Sequence, residues 1–580
     1  MINKKLLLAM AAVTLTHSAL AADANAGKAL FKAQCGLCHS AEANDNGGAQ
    51  GPSLQGVFGR KAATNEQFSY TEVLKKSGLS WDAATLDRFL TNPTAAVPGS
   101  AMVIALPDNT ERANVIAYFQ ALKEGTFKEA QRPAFAGGPP PGAAPPPAPA
   151  APAADADWKK DAPGRVHKVD VDTLPKPYAT TSANNFPRLI PKPAGAELKL
   201  PKGFKVDVYT RELTAPRAMV VAPNGDIFIS ETNTGRVKVM RPSADGSKPQ
   251  QITVVAQGLL QPLGIAFYPA GDKPQWVYIA ETNRVVRYAY AVGDTVAKGV
   301  PEVVVPKLSP VTGGGHFTRD IAFSPDGKRM FVSVGSQSNV PEKATTPMPA
   351  KTPAEIKAWE AEHGLGAAWG NEENRADVLA FEVGSNKPGK VFASGIRNCV
   401  GLTVQPATGA LWCTTNERDN LGDNLVPDYS TRVQEGGFYG WPWYYMGKNE
   451  DPRFAGERPD LAGKAIVPDV RYTSHSASVD LEFYPKNATG SSAFPAEYAG
   501  DGFAVLHGSW NRGERTGHKI VRLPMKDGIP TGEYIDFMTG FIGDDGNPWG
   551  RPVAITVTKD GSMLVSDDGA NVVYRISYSK

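Results

Sequence analysis

A strand, a short Pro/Asp/Gly turn, a second strand and a polar loop recur six times in the C-terminal two-thirds of this 580-residue chain. The copies are Ala218–Asn233 (AMVVAPNGDIFISETN), Gly264–Asn283 (GIAFYPAGDKPQWVYIAETN), Asp320–Asn339 (DIAFSPDGKRMFVSVGSQSN), Gly401–Asn416 (GLTVQPATGALWCTTN), Val479–Arg512 and Val553–Asn571 (VAITVTKDGSMLVSDDGAN). One such unit cannot bury its own apolar face, but units stacked in a ring can. Further β-type runs follow several copies, at Val237–Arg241, Val285–Tyr290 and Val572–Tyr578. The pattern predicts an all-β six-bladed propeller with loop insertions. The longest insertion contains Pro353–His363, where Thr352-Pro353 reads as a capped helix start.

Upstream the periodicity changes. Asn25–Gln34, Ala83–Thr91 and Asn109–Leu122 carry apolar residues at helical spacing, which predicts a small all-α domain over residues 22–130. A Pro/Ala-rich linker, residues 131–160, separates it from the propeller at 161–580; Pro133–Pro152 is almost only Pro, Ala and Gly and has nothing to bury. Residues 1–21 read as a signal peptide: Lys4 and Lys5, the apolar run Leu6–Leu15, then Ala19-Leu20-Ala21. Export to a bacterial periplasm is therefore expected, where oxidised cysteines persist. The 61 basic and 59 acidic residues nearly cancel, which argues against a nucleic-acid partner. No apolar run is long enough to span a bilayer, so no transmembrane span is expected in the mature chain.

Cys35-Gly36-Leu37-Cys38-His39 is the c-type haem attachment pattern: two thiols to bond the haem vinyl groups and an imidazole for the iron. Pro98-Gly99-Ser100-Ala101-Met102 supplies a thioether as the second iron ligand, which raises the potential relative to two imidazoles. With Gly51-Pro52-Ser53-Leu54, Gly59-Arg60-Lys61-Ala62 and Trp81, these motifs make the domain resemble the class I cytochromes c over nearly its whole length. The resemblance implies that Pro52 presents its carbonyl to the His39 ring and that Arg60 contacts a haem propionate.

Propeller geometry puts the residues before each first strand and after each second strand on one face, near the axis. Before the first strands stand Arg217, Gln261, His316 with Arg319, Arg397 with Asn398, His475, and Arg551. After the second strands come Glu417 and Arg418, Asn511 and Arg512, and Asp567 and Asp568. A ring this rich in arginine suits a multiply anionic ligand. Within it, Gly313-Gly314-Gly315-His316 offers an imidazole with little steric cover, a candidate general base. His475 and His507 are weaker candidates.

The segments GGGHFTRDIAFSPDGK, ASGIRNCVGL, GGFYGWPWYY, LHGSWNR and GRPVAI, followed by LVSDDGANVVYRISY, resemble the pyrroloquinoline quinone (PQQ)-dependent sugar dehydrogenases, in the sorbosone dehydrogenase-like branch. The resemblance implies His316 as the base, Arg397 and Asn398 in contact with the quinone, and Asn511, Arg512 and Arg551 among further cofactor contacts. It also implies calcium. The candidate calcium ligands that the resemblance suggests are Glu417 and Asp419, at a place where soluble glucose dehydrogenases carry Gln-Gly-Pro and this chain departs with Glu417-Arg418-Asp419. Those dehydrogenases also carry Asp before the catalytic His, where this chain has Gly315, and Pro after Arg-Asn, where it has Cys399. Cys399 and Cys413 lie on two expected strands of one blade and read equally as a disulfide or as two buried thiols.

The reading that joins both halves is a periplasmic quinohaemoprotein dehydrogenase. It would oxidise a sugar, alcohol or aldehyde with PQQ and calcium, and pass electrons through haem c to a respiratory acceptor such as another cytochrome. His316 would take the proton and Arg397 would stabilise developing negative charge. The alternatives are a lactonase-type hydrolase and a non-catalytic carbohydrate-binding propeller, each fused to an electron-carrying cytochrome.

Overall fold

In the N-terminal domain, Asp23, Asp82 and Asp108 each accept backbone N–H bonds at the start of a helix, over Ala24–Leu30, Ala83–Thr91 and Asn109–Glu124. The last of these runs past Leu122 and ends at Gly125, whose φ of 67° is left-handed. First and last helices cross at Gly27, where a Cβ would overlap the Asn114 carbonyl. That close approach lets Phe31 meet the rings of Tyr118 and Phe119 at 5.8 and 5.6 Å. The computed structural model describes residues 22–31, 35, 39, 41, 52–65, 70–100, 102, 105–106, 108–127, 158–310, 315–341 and 352–579. The signal segment, Cys38, nearly all of the linker and Gly313-Gly314 lie outside the described residues.

The propeller is the six-bladed ring that the repeat predicts. Its inner strands are Met219–Val221, Ile265–Tyr268, Ile321–Phe323, Cys399–Val404, Ser478–Phe483 and Pro552–Val557. Each pairs antiparallel with the next strand of its own blade, and the sheets are built outward in sequence order. The sixth blade is the exception: its outermost strand is Phe204–Thr210, from before the first blade, paired with Val572–Tyr578. The two ends of the domain therefore close the ring. A second N-terminal piece, Val166–His167, adds to the outer strand Tyr534–Met538 of the fifth blade.

Apolar layers between blades carry the packing. Trp412 is fully buried with its ring 5.5 Å from Phe483, joining the fourth and fifth blades. Near the axis, carboxylates tie neighbouring blades. Asp320 accepts from the Leu402 N–H at 2.7 Å, and Asp480 from the Ile555 N–H at 2.8 Å. The insertion helix Pro353–His363 has the expected Thr352 cap, with a reciprocal Glu355 contact that completes a capping box. Cys399 and Cys413 face each other across adjacent strands with Cα atoms 5.7 Å apart and form a disulfide, which settles that alternative. Among the described residues no helix is long and apolar enough to cross a membrane.

Candidate functional site

His316 sits where the third blade begins, and its own backbone N–H is held by the Ser336 carbonyl at 3.0 Å. The same carbonyl lies 2.8 Å from His316 Nδ1, with the Ser336 hydroxyl at 3.1 Å. A carbonyl accepts only, so Nδ1 carries the proton and Nε2 keeps its lone pair. Burial, then the Arg397 charge, hold this imidazole well below its ordinary pKa; Arg375 acts the same way, against the Ser336 carbonyl and Asp419. Gly315 has φ of 64°, and a Cβ there would meet Gln337 at 2.6 Å. In this backbone the position therefore favours glycine.

Arg397 points across the same space. It donates to the Asn339 carbonyl (3.3 Å) and side chain (3.1 Å), to the Asn416 and Glu417 carbonyls (3.3 and 2.8 Å), and to Asp419 Oδ2 (3.1 Å). Its N–H groups are thus committed to the protein. On the other side of Asp419, Oδ1 is 3.7 Å from His475 Nδ1, and His475 Nε2 is 3.0 Å from the Gly422 carbonyl. Burial acts to raise Asp419, but Arg397 and His475 hold it below the ordinary carboxylate range.

A second chain of contacts joins the fifth, sixth and first blades. Arg551 Nη2 is 3.0 Å from His507 Nδ1, His507 Nε2 is 2.9 Å from Asp568 Oδ1, and Asp568 Oδ2 accepts from Arg217 at 2.7 Å. Burial and Arg551 lower His507 to about 4, while His507 and Arg217 keep the buried Asp568 ionised. The Arg217 guanidinium stands 5.9 Å from the Phe317 ring, beside His316, which links the two clusters.

Other sequence candidates are placed differently. Arg319 is buried beneath His316, donating to the His316 and Thr318 carbonyls at 2.8 and 2.7 Å. Asn398 is buried behind them, its carbonyl taken by the Asn416 N–H at 3.0 Å. Gln261 accepts from the Thr282 hydroxyl at 3.2 Å. Asn511 bonds to Asn420 and Ala183, and Arg512 to Asp423 and Asn424, so this pair anchors the Asn420–Asn424 loop. Nothing in the sequence marks Arg375, the ion pair of Asp419, or the His507–Asp568 pair as interacting groups. Arg375 lies in an insertion without periodicity, and pairings between blades leave no spacing signal.

The two cofactor expectations fare unequally as chemistry. Glu417 and Asp419 do not fit calcium: Asp419 is committed to a guanidinium and an imidazole, and Glu417 Oε2 accepts the Arg418 N–H at 3.0 Å. Among the described residues the single cluster with metal-ligand proximity is Asp161, His167 and Asp536, on the outer side of the fifth blade. Lys519 Nζ already fills it, 2.9 Å from Asp161 and 2.7 Å from Asp536. An anionic organic ligand does fit. Arg217 and Arg551 flank the His507–Asp568 pair, Arg397 faces His316, and burial pushes the neighbouring Asp567 up to about 7.

In the helical domain, His39 Nδ1 is 2.8 Å from the Pro52 carbonyl, which would leave Nε2 to bind a haem iron. Cys35 presents a half-buried thiol to the same apolar cluster of Val57, Trp81 and Leu106 on which Met102 packs. Arg60 donates to the Ser53 and Gln55 carbonyls at 2.9 Å each, bracing the segment that holds His39. Thiol, imidazole and thioether in an apolar pocket fit a covalent haem.

Two families match separate stretches of the chain. The family described as cytochrome c matches residues 24–123, and the family described as TrAA12-like matches 198–435 and 460–579. Cytochrome c2 iso-2 of Magnetospirillum fulvum is 47% identical over 89 residues, 15% of this chain and 91% of that protein. The PQQ domain of pyranose dehydrogenase from Coprinopsis cinerea superposes with a TM-score of 0.52 at 21% identity, covering 67% of this chain and 98% of that one. A Trichoderma reesei carbohydrate-active enzyme of family AA12 gives a TM-score of 0.51 at 17% identity, over 71% of this chain and 100% of that one. At such identities the likeness shows the fold.

Proposed function

Because this chain belongs to the TrAA12-like family and carries a cytochrome c domain, we propose that it is a PQQ-dependent sugar or aldose dehydrogenase that delivers its electrons to its own haem. The observation that carries the reading is His316: a neutral imidazole, with Nε2 free of protein partners among the described residues, in a funnel biased towards anions. The quinone, when bound, supplies the two-electron acceptor. His316 Nε2 takes the hydroxyl proton of the substrate, and the low basicity of the ring keeps it ready for that proton at neutral pH. Arg217 and Arg551 would hold the quinone's carboxylate groups, and Arg397 fixes the Asn339 and Asp419 side of the funnel. We place the mature protein in the periplasm, with a small cytochrome or other respiratory carrier as the final acceptor.

Titrating purified protein with PQQ, both with calcium and in chelator, and then adding a panel of aldoses, alcohols and aldehydes tests this directly. The expected result is substrate-dependent appearance of the reduced haem c spectrum without added dye. If quinone binds and no member of the panel reduces either the haem or an artificial acceptor, the dehydrogenase reading is wrong.

A further inference from the structure

The carbonyl groups around His316 are themselves held. Arg375, from the end of the insertion between the second and third strands of the third blade, is 2% exposed and donates to three of them. Its Nε reaches the Gly335 carbonyl at 3.0 Å, and its Nη2 reaches the His316 carbonyl at 3.0 Å and the Ser336 carbonyl at 3.4 Å. The Ser336 oxygen is the one that fixes His316 Nδ1–H. Arg319 shares the His316 carbonyl from below, and neither guanidinium has a carboxylate in ion-pair contact among the described residues. Glu372 sits behind Arg375 and is committed to the Gln337 and Ser338 N–H groups at 2.6 and 2.8 Å. The charged groups facing His316 are therefore Arg397 and Asp419 from the fourth blade, and Arg375 and Arg319 from the third.

We propose that Arg375 is the positioning residue for His316: its fork clamps the Gly335–Ser336 turn against the His316 backbone, selects the Nδ1–H tautomer, and adds a buried positive charge that keeps Nε2 unprotonated. This rests on the reading of His316 as the base, and it extends that reading to a residue no substrate touches. A planar fork is needed to serve three acceptors at once; a lysine retains the charge and loses the geometry. Field and positioning can therefore be separated.

The test uses the full chain with 15N-labelled histidine, observed by NMR across a pH series without quinone, alongside pH profiles of kcat and KM with quinone. In the wild type, His316 should remain the neutral Nδ1–H tautomer well below the pH at which an ordinary imidazole takes up its proton, as a buried imidazole beside cations does. Arg375→Lys should keep that low protonation pH, mix the two tautomers, and lower kcat roughly ten- to hundredfold at unchanged KM. Arg375→Met should in addition move the acidic limb upward by about one pH unit, in line with the loss of one nearby buried charge. A lysine variant with wild-type tautomer and kcat overturns the proposal. So does a wild-type His316 found protonated at Nε2, a measurement that stands even if both variants fail to fold. If the NMR result is as expected but His316→Ala turns over like wild type, the base assignment has failed and the positioning geometry has not.

Discussion

Arg551 Nη2 lies 3.0 Å from His507 Nδ1. A guanidinium only donates, so His507 is neutral at Nδ1 and must donate from Nε2 to Asp568. One arginine thereby sets the tautomer of the histidine and, through it, the hydrogen bond that holds an ionised carboxylate at the funnel rim.

This arrangement makes stability pH-dependent in a known direction. His507 is lowered to about 4 by burial and Arg551, against an ordinary value of 6.5. Between those two pH values the unfolded chain binds a proton that the folded chain excludes, so this residue's contribution is lost as pH falls through the window. His507→Gln should flatten the slope of Tm against pH between about 6.5 and 4 relative to wild type. Parallel slopes would mean that His507 does not titrate on unfolding.

Removing the base should separate chemistry from cofactor holding. His316→Ala is expected to cost about 10²–10⁴-fold in kcat while quinone binding, followed by absorbance titration, stays within a few-fold. Arg551→Ala should instead weaken quinone retention and recover activity as quinone is added in excess. Turnover by His316→Ala at nearly the wild-type rate would exclude the residue.

For the haem, Met102→Ala should leave covalent attachment intact, remove the sulfur–iron charge-transfer band of the oxidised protein, and lower the midpoint potential. Persistence of the band in the variant assigns the sixth ligand elsewhere.

The Cys399–Cys413 disulfide closes a short loop of 14-residue separation directly after Arg397-Asn398. Cross-links of this span stabilise by about 3 kcal/mol in the chain-entropy account. Replacing both cysteines by alanine should lower the unfolding free energy by roughly 2–4 kcal/mol and leave the haem spectrum unchanged. An unaltered denaturation midpoint would show that the bond adds nothing.

The sequence alone carries the blade count, the helical domain and the haem motif. Each of these is written as local periodicity or spacing: two strands around a Pro/Asp/Gly turn, apolar residues three and four apart, CGLCH before PGSAM. It did not determine that Phe204–Thr210 closes the sixth blade, because that strand pairs with Val572–Tyr578 from the other end of the domain. Nor did it show that Asp419 belongs to Arg397 and His475 and not to a cation, or that Arg375 stands behind His316. Cys399 and Cys413 were undecided for the same reason: a bulge between Cys399 and Gly401 sets the register that brings the sulfurs together. Which side chains approach the axis follows from strand alternation. Which of them meet depends on the angle between blades and on loops without a repeat, and only the folded ring fixes those.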